Sequence, residues 1–192
     1  MNNESIIHFV LGTSGTKFSN EVKELFRITP CYCAGGSVRS ILDDSDIHDY
    51  DFFFGSEESL IKMKMHLNNY GKCIFECPNN TFTSYMYCGH KIQLIHFKFY
   101  SSAAELIRSF DFTICQFVYD GINITTSNIA LKDLINKRLR LNVLTFPAAT
   151  IKRIEKYTRY GFKAHSSLYS QIVLLIKENH PLIEDFELVY VD

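Results

Sequence analysis

The hydrophobic pattern of this sequence changes along the chain, from short strand-like runs in its first two thirds to helical periodicity near its end. Apolar residues with helical spacing predict a helix over 57–69, which is followed by Gly71. Alternating patterns on either side of Pro78 predict a meander of strands, and Asp120-Gly121 predicts a tight hairpin. The predicted strands are 30–33, 50–54, 73–76, 82–87, 91–99, 112–119 and 122–125. The predicted helices are 20–27, one starting at Ser37, 57–69, 103–109, 130–137, 147–160 and 168–178.

Strands that come early and helices that come late predict an α+β fold, in which a mixed sheet carries packed helices. The chain has no repeat, no low-complexity stretch and no Pro/Gly-rich linker, which favours one continuous head domain over 1–146. Pro147, in the first turn of a predicted helix, begins a short C-terminal helical extension over 147–192. We therefore expect a head followed by a short helical segment.

The composition indicates a protein with one ordinary hydrophobic core. Of the 192 residues, 46% are hydrophobic and 21% are charged. No apolar run reaches the roughly 20 residues of a membrane span, and the first five residues do not resemble a signal peptide. We therefore expect no membrane contact and a cytoplasmic location, in the host cytoplasm if the gene is viral, as the Trp-free composition hints. The formal net charge of -1 argues against a broad basic surface for nucleic acid.

The six cysteines are expected to be reduced thiols, because no secretion signal accompanies them. Zinc bound by Cys31, Cys33, Cys73 and Cys77 is the alternative, but the one-residue and three-residue gaps differ from the usual two-residue spacing. Several of these cysteines lie in strand-like runs, where cysteine behaves as a small buried hydrophobe. Burial is therefore the favoured interpretation.

A glycine pair before a helix suggests an anion-binding turn. Gly35 and Gly36 would let backbone N–H groups approach an anion closely, and Ser37 would add a hydroxyl donor. Arg39, one turn into the helix, could reach a phosphate with two N–H donors. It could instead pair with Asp43 or Asp44 on its own helix.

Asp49 and Asp51 are the predicted catalytic residues and metal ligands. Side chains two residues apart on a strand point to the same face, so this pair can hold two cations about 3.5 to 4 Å apart. Two Mg²⁺ ions at this place would activate an attacking hydroxyl and neutralise the charge on leaving pyrophosphate. Asp44 and Asp46 form a second Asp-x-Asp pair, but they lie in a polar loop. Only Asp49 and Asp51 lead into an apolar strand that could hold them rigidly.

Four ordered motifs resemble the nucleotidyltransferase head of CCA-adding enzymes and bacterial poly(A) polymerases, within the DNA-polymerase-β-like superfamily. The glycine pair, Val38-Arg39 and Asp49-Tyr-Asp51 are similar to that family's first signature. The later motifs are Asp111-Phe-Thr-Ile114, the segment 130–140, and the spacing from Pro147 to Gly161-Phe162. The resemblance covers about residues 30–162.

This resemblance implies a fold, a reaction and a set of site residues. The reaction would move a nucleoside monophosphate from an NTP such as ATP to an acceptor hydroxyl and release pyrophosphate. The acceptor would be an RNA 3' end, such as that of tRNA. The residues implied are Asp49 and Asp51 for Mg²⁺, Gly35, Gly36, Ser37 and Arg39 for the triphosphate, and Asp111 for the sugar or a nearby loop. Asp111 could otherwise be a cap between a helix and a strand.

Three departures from the family pattern set limits on this implication. Gln93 stands where the family's third carboxylate is expected, and an amide oxygen binds magnesium without bringing charge. Glu76 or Asp120 could replace that carboxylate in space. Phe110 stands where an arginine precedes Asp-Phe-Thr, and the base-selecting Glu-Asp-x-x-Arg positions hold Thr145, Phe146 and Ala149.

The helical body that follows Gly161-Phe162 in the family is expected to be absent, so ordinary CCA addition is not expected. Two other functions stay open. One is a nucleotide-binding or partner-binding module of the same fold without turnover, and the other is an enzyme that nucleotidylates a protein or a small molecule. A basic and aromatic helix face could contact RNA or a base, or could be a solvated face beside the core. Its residues are Lys152, Arg153, Lys156, Tyr157, Arg159 and Tyr160.

Overall fold

The computed structural model of the protein describes residues 5–10 and 18–178. Its strands are β1 (Ile6–Val10), β2 (Cys31–Ala34), β3 (Tyr50–Phe54), β4 (Lys72–Glu76), β5 (Phe82–Tyr87), β6 (His90–Ile95), β7 (Phe117–Tyr119), β8 (Asn123–Ser127), β9 (Arg138–Leu139) and β10 (Lys163–Ala164). Its α-helices are α1 (Asn20–Ile28), α2 (Gly36–Leu42), α3 (Glu57–Tyr70), α4 (Ala103–Ser109), α5 (Asn128–Ile135), α6 (Pro147–Arg159) and α7 (Ser166–Glu178). Residues 179–192 of the expected C-terminal extension lie outside the described part.

Eight strands form one mixed sheet in the order β1-β8-β7-β2-β3-β6-β5-β4. The neighbours β3 and β6 are parallel, and the other neighbouring pairs of this sheet are antiparallel. A separate two-stranded parallel ladder joins β9 to β10. The predicted α+β fold, a mixed sheet with packed helices, is therefore confirmed.

Serine side chains explain where four of the helices begin. Each serine precedes its helix in an extended conformation, and its hydroxyl oxygen accepts a hydrogen bond from the backbone N–H three residues later. These serines are Ser19 before α1, Ser56 before α3, Ser102 before α4 and Ser127 before α5. Three of these helix starts match the predicted ones within a residue, and α5 begins two residues earlier than predicted.

The two faces of the sheet carry different hydrophobic clusters. One face holds the main core, to which β3 contributes Phe52 and Phe54, and this core extends to Tyr157 on α6 and Ile172 on α7. The opposite face packs part of β2, β3 and β7 against α4, with Leu106 at its centre. Because α4 covers only part of this second face, polar residues farther along it stay partly exposed.

Two predicted strands are shorter in the structure. The strand predicted over 91–99 ends at Ile95, and the chain then turns so that the Tyr100 N–H donates to the Phe54 carbonyl. The strand predicted over 112–119 begins only at Phe117, because Thr113 opens a 3-10 turn. The Thr113 hydroxyl donates to Asp133, which pulls this segment away from the sheet. The edge strand β1 was not predicted.

The zinc alternative is not supported by the positions of the cysteines. Cys31 and Cys33 lie on β2, whereas Cys73 lies on β4, with three strands between them. At about 4.8 Å per strand these thiols are roughly 19 Å apart. Burial also raises the pKa of the Cys31 thiol to about 12, which keeps it protonated. Within the described residues, no helix has the length and apolar character needed to cross a bilayer.

Candidate active site

Asp51 lies in the middle of the large sheet, on the face that α4 only partly covers. Its neighbour across the ladder on β2 is Ala34, and its neighbour on β6 is Gln93. Asp49 lies two residues earlier, just before β3, and both aspartates are partly exposed. Burial, followed by the nearby charge of Asp49, raises the pKa of Asp51 to about 7. The site thus contains two neighbouring carboxylates, and one of them, that of Asp51, is strongly desolvated.

The strand register places Gln93 beside Asp51. The resemblance to CCA-adding enzymes leads one to expect a third carboxylate at this position. Cross-strand partners share one face of a sheet, so both side chains lie on the same side. Ser84 is the next partner in this row, and its buried hydroxyl has no hydrogen-bond partner. In the described part of the chain, no group of three or more His, Cys, Asp or Glu side chains converges on a metal position. The site is therefore built from two carboxylates and an amide.

Neither of the two suggested replacements supplies the missing carboxylate. Asp120 lies in the hairpin between β7 and β8, where its Oδ1 accepts hydrogen bonds from the N–H groups of Ile122 and Asn123. Glu76 is at the end of β4, the outermost strand on its side of the sheet. Each therefore belongs to a different part of the sheet from Asp51.

Gly35 brings the start of α2 close to the carboxylate pair. It has φ 79° and ψ -130°, a conformation that side chains with a β-carbon avoid. A β-carbon built on Gly35 would lie 3.4 Å from the Phe110 ring and 4.0 Å from Asp51 Oδ2. The Gly35 N–H donates to the Phe117 carbonyl, so the N–H donors offered to an anion would be those of Gly36 and Ser37. Next to Gly36 there is open space, because a β-carbon there would meet nothing within 4 Å.

Gly35 and Gly36 allow a paired test of this turn. Gly35→Ala should cost about 1 to 3 kcal/mol of unfolding free energy, because alanine is strained at this backbone conformation. Gly36→Ala should leave stability within about 0.5 kcal/mol, because the site is open and helical. If an anion occupies that open space, Gly36→Ala should nevertheless weaken ATP binding severalfold. Urea unfolding and calorimetric ATP titration measure both effects, and equal stability of the two variants would contradict the assignment.

The structure does not direct Arg39 towards the carboxylate pair. Arg39 is only 4% exposed, and its guanidinium carbon lies 5.4, 5.7 and 5.8 Å from the ring centres of Tyr157, Tyr160 and Phe162. The alternative of a pair with Asp43 is observed, with 3.8 Å between Nε and Oδ2. Arg39 therefore joins α2 to the end of α6. It could reach a phosphate only by leaving this group of rings.

Asp111 is buried and its carboxylate is held by three donors. It is 7% exposed, and its Oδ1 accepts the Phe112 N–H at 2.9 Å. Its Oδ2 accepts the Thr150 hydroxyl at 3.2 Å and Arg153 Nη1 at 2.7 Å. The suggested role as a simple cap is too narrow, because this carboxylate links the segment before the 3-10 turn to α6. A contact with a sugar stays a prediction.

Three positively charged side chains act on Asp51. None of them was among the site residues that the motif resemblance implied. The positive charges of Arg153, Lys156 and Lys91 each lower its pKa, in that order of effect, against the larger effect of burial. Lys91 lies two residues before Gln93 on β6, on the same face of the sheet. Arg153 and Lys156 are three residues apart on α6. In the sequence, Arg153 and Lys156 stood out only as members of the basic helix face. In the structure this face has two parts, because Arg153 and Lys156 act on Asp51 whereas Tyr157 and Tyr160 lie around Arg39.

The raised pKa of Asp51 predicts a pH-dependent stability that asparagine would remove. Between about pH 4 and the folded pKa of about 7, the native state holds a proton that the unfolded chain has released. Without divalent metal, this group should therefore lower the unfolding free energy by about 1 to 2 kcal/mol as pH rises from 4 to 8, with no further loss above that pH. Asp51→Asn should unfold at a higher temperature than wild type at pH 8 in EDTA.

Thermal unfolding of wild type and Asp51→Asn from pH 5 to 8.5 measures this difference. Asp46→Asn is the matched control, because Asp46 is an exposed loop carboxylate. Parallel curves for wild type and Asp51→Asn would show that Asp51 does not titrate in this range. Below pH 7 the bound proton should also compete with Mg²⁺ and weaken its binding.

Comparisons with known proteins found related sequences and related folds. A family model described as "Gad2: Gabija anti-defense 2 family protein" matches residues 9–137. The protein named "Gabija anti-defense 2" from Bacillus phage SPbetaL7 is 27% identical over 157 residues. That alignment covers 80% of this chain and 39% of the phage protein. The chain thus spans well under half the length of this relative.

Solved CCA-adding enzymes share the fold. The Thermotoga maritima CCA-adding enzyme complexed with tRNA has a TM-score of 0.62 and 18% identity, with 84% of this chain and 43% of that chain covered. A CCA-adding enzyme in complex with ATP has a TM-score of 0.61 and 17% identity, with coverages of 83% and 42%. Identities this low show the fold alone. They confirm the predicted resemblance to the polymerase-β-like nucleotidyltransferase head.

Proposed function

This chain belongs to the Gabija anti-defense 2 family, and from that premise we propose that it is a metal-dependent nucleotidyltransferase whose activity serves Gabija anti-defense. It would transfer a nucleoside monophosphate from an NTP to an acceptor hydroxyl. Structural neighbours captured with ATP, CTP and tRNA support an NTP as substrate and an RNA 3' end as acceptor. The phage relative supports action in the host cytoplasm.

One observation carries the proposal. The Asp51 carboxylate lies beside the Gly35 turn on one side and Gln93 on the other, with Asp49 close enough to raise its pKa. A carboxylate pair next to a glycine turn is what NTP binding with a divalent cation requires, because the cation must touch both protein oxygens and phosphate oxygens.

The donor set fits Mg²⁺. It consists of hard oxygen donors, and burial makes the negative charge of Asp51 costly unless a cation lies beside it. Asp49 and Asp51 would hold the ions, and the amide oxygen of Gln93 would be an uncharged ligand beside them. When bound, Mg²⁺ supplies positive charge that acidifies an acceptor hydroxyl and offsets charge on the leaving group.

The residues of the chain position the reactants for an in-line displacement. Backbone N–H groups of Gly36 and Ser37 would hold the triphosphate in the open space next to Gly36. The acceptor hydroxyl oxygen forms a bond to the α-phosphorus and gives its proton to water, while the bond from that phosphorus to the bridging oxygen breaks. Pyrophosphate leaves with both electrons of that bond. Fixed positions beside the sheet would lower the entropic cost of bringing the two substrates together.

Gln93 favours a second candidate, a nucleotide-binding module of this fold that has no turnover. Two carboxylates and an amide carry less negative charge than three carboxylates and would hold divalent ions more weakly. Loss of the base-selecting pattern at Thr145, Phe146 and Ala149 also argues against ordered CTP and ATP addition. In this second candidate the protein would bind NTP for anti-defense without consuming it.

A single incubation separates these functions. The protein is mixed with Mg²⁺, each labelled NTP in turn and total cellular RNA, and label is followed into RNA, protein and small molecules while free pyrophosphate is measured. Label in RNA together with pyrophosphate supports the first candidate, and label in protein or a small molecule identifies a different acceptor. ATP binding with background pyrophosphate supports the binding module instead.

A further inference from the structure

We propose that Arg153 of α6 binds the triphosphate of the nucleotide, and that Asp111 and Thr150 hold its guanidinium in position for this contact. This inference rests on the proposed function, because it concerns the same nucleotide site. It assigns Arg153 a binding role and Asp111 a positioning role. It also moves the phosphate-binding arginine from α2, where the sequence predicts it, to α6.

The first argument is that Arg153 is held rigidly. Its Nη1 donates to Asp111 Oδ2 at 2.7 Å, and the Thr150 hydroxyl donates to the same oxygen at 3.2 Å from one turn earlier on α6. The Asp111 backbone is also fixed, because its carbonyl accepts the Asn142 N–H at 2.6 Å. A buried carboxylate that orients a partly exposed arginine is a common way to aim a guanidinium at a ligand.

The second argument is the direction in which this arginine is held. The Arg153 side chain is 32% exposed, while its partner carboxylate is almost fully buried. Asp111 directly follows Phe110, whose ring lies 3.4 Å from a β-carbon built on Gly35, and that β-carbon lies 4.0 Å from Asp51 Oδ2. The Asp111 carboxylate thus holds the Arg153 guanidinium one residue from the ring that contacts the Gly35 turn. A triphosphate bound between Asp51 and the Gly36 turn would meet it there.

The third argument is that the other positions expected to supply an arginine do not. Arg39 is enclosed by aromatic rings, as described above. Phe110 stands where the resemblance leads one to expect an arginine, and its ring lies against Gly35 and packs on Phe53 with 5.9 Å between ring centres. A triphosphate carries several negative charges, so a site without these arginines needs another cation. Arg153 can supply this cation, because Asp111 holds its guanidinium on a buried support.

Equilibrium binding of ATP, ADP and AMP, each with Mg²⁺, tests the assignment by the number of phosphates. The main variant is Arg153→Gln with Asp111→Asn, because a buried Asp111 left without its arginine could unfold the protein. We expect this double variant to lose about tenfold in ATP affinity and less than about twofold in AMP affinity. Arg153→Lys should retain part of the ATP preference through its charge. Arg159→Gln is the control, because Arg159 lies on the same helix and pairs with Glu155.

The outcomes separate this inference from the proposed function. An unchanged preference of the double variant for ATP over AMP, with a wild-type melting temperature, overturns the role of Arg153. Equal losses for ATP and AMP also overturn it, because they indicate damage to the fold or to base binding. If wild type binds ATP but releases no pyrophosphate, the turnover claim fails while the binding comparison still decides the role of Arg153. A folded wild type that binds no nucleotide overturns both.

Discussion

Replacing Asp49 or Asp51 by asparagine is expected to reduce nucleotide transfer by about a thousandfold or more. Each change keeps the size of the side chain and removes one of the two negative charges that would hold Mg²⁺. The rate of label incorporation and the rate of pyrophosphate release should fall together. ATP binding without metal should change much less, because the Gly36 turn and the cations on α6 are intact.

Asp44→Asn and Asp46→Asn are the matched controls for this result. These residues form the same Asp-x-Asp spacing in the loop before β3, and both are exposed. Asp44 has φ 59°, a conformation that asparagine tolerates, so neither control should disturb the fold. Activity that survives in Asp49→Asn and Asp51→Asn but disappears in the loop variants would show that the carboxylate pair was assigned to the wrong aspartates.

Replacing Gln93 by glutamate is expected to tighten Mg²⁺ binding by about 30-fold and to raise the transfer rate at limiting metal. The register sets residue 93 next to Asp51 on a parallel strand, so the change adds a third negative charge to the site. Metal affinity rises with the number of charged ligands. Without metal the same charge should destabilise the fold, because it repels Asp49 and Asp51 and further raises the pKa of Asp51.

Metal titrations followed by pyrophosphate release and by melting temperature measure both effects of Gln93→Glu. Met86→Glu is the control, because Met86 pairs with Lys91 on the same sheet face and is 42% exposed. It adds the same charge farther from the carboxylate pair. If Gln93→Glu binds metal no better than Met86→Glu, then Gln93 is not beside the ions, and the two-carboxylate site has to be completed from elsewhere.

The sequence alone was sufficient for the framework of the protein. Hydrophobic periodicity predicted β3, β5 and α4 with the bounds that the structure has, because a strand or helix with one buried face repeats that face in its sequence. The order of glycine pair, helix and Asp-x-Asp strand also assigned Gly35 and Asp51 to one predicted nucleotide site, and a β-carbon built on Gly35 lies 4.0 Å from Asp51 Oδ2. Each of these features depends on residues that are close together in the sequence. A sequence pattern can therefore predict them.

Pairing between strands could be predicted only in part. The parallel register that sets Gln93 beside Asp51 agrees with the position expected from the motif comparison. The edge strand β1 was missed although four of its five residues are apolar, because a short apolar run does not by itself distinguish a strand from a helix. The 3-10 turn at Thr113 was missed as well, since its cause is a hydrogen bond to Asp133, twenty positions away in the chain.

The tertiary structure alone decided which charged side chains reach the site. Arg39 and Arg153 are both basic residues on helices that look amphipathic in sequence, yet one is enclosed by three rings and the other is held by Asp111 near Asp51. Long side chains can point several ways from one backbone position, and their direction depends on the partners that packing brings within reach. Those partners come from distant parts of the chain, so the sequence determined the fold and the carboxylate pair, while packing determined the cations around them.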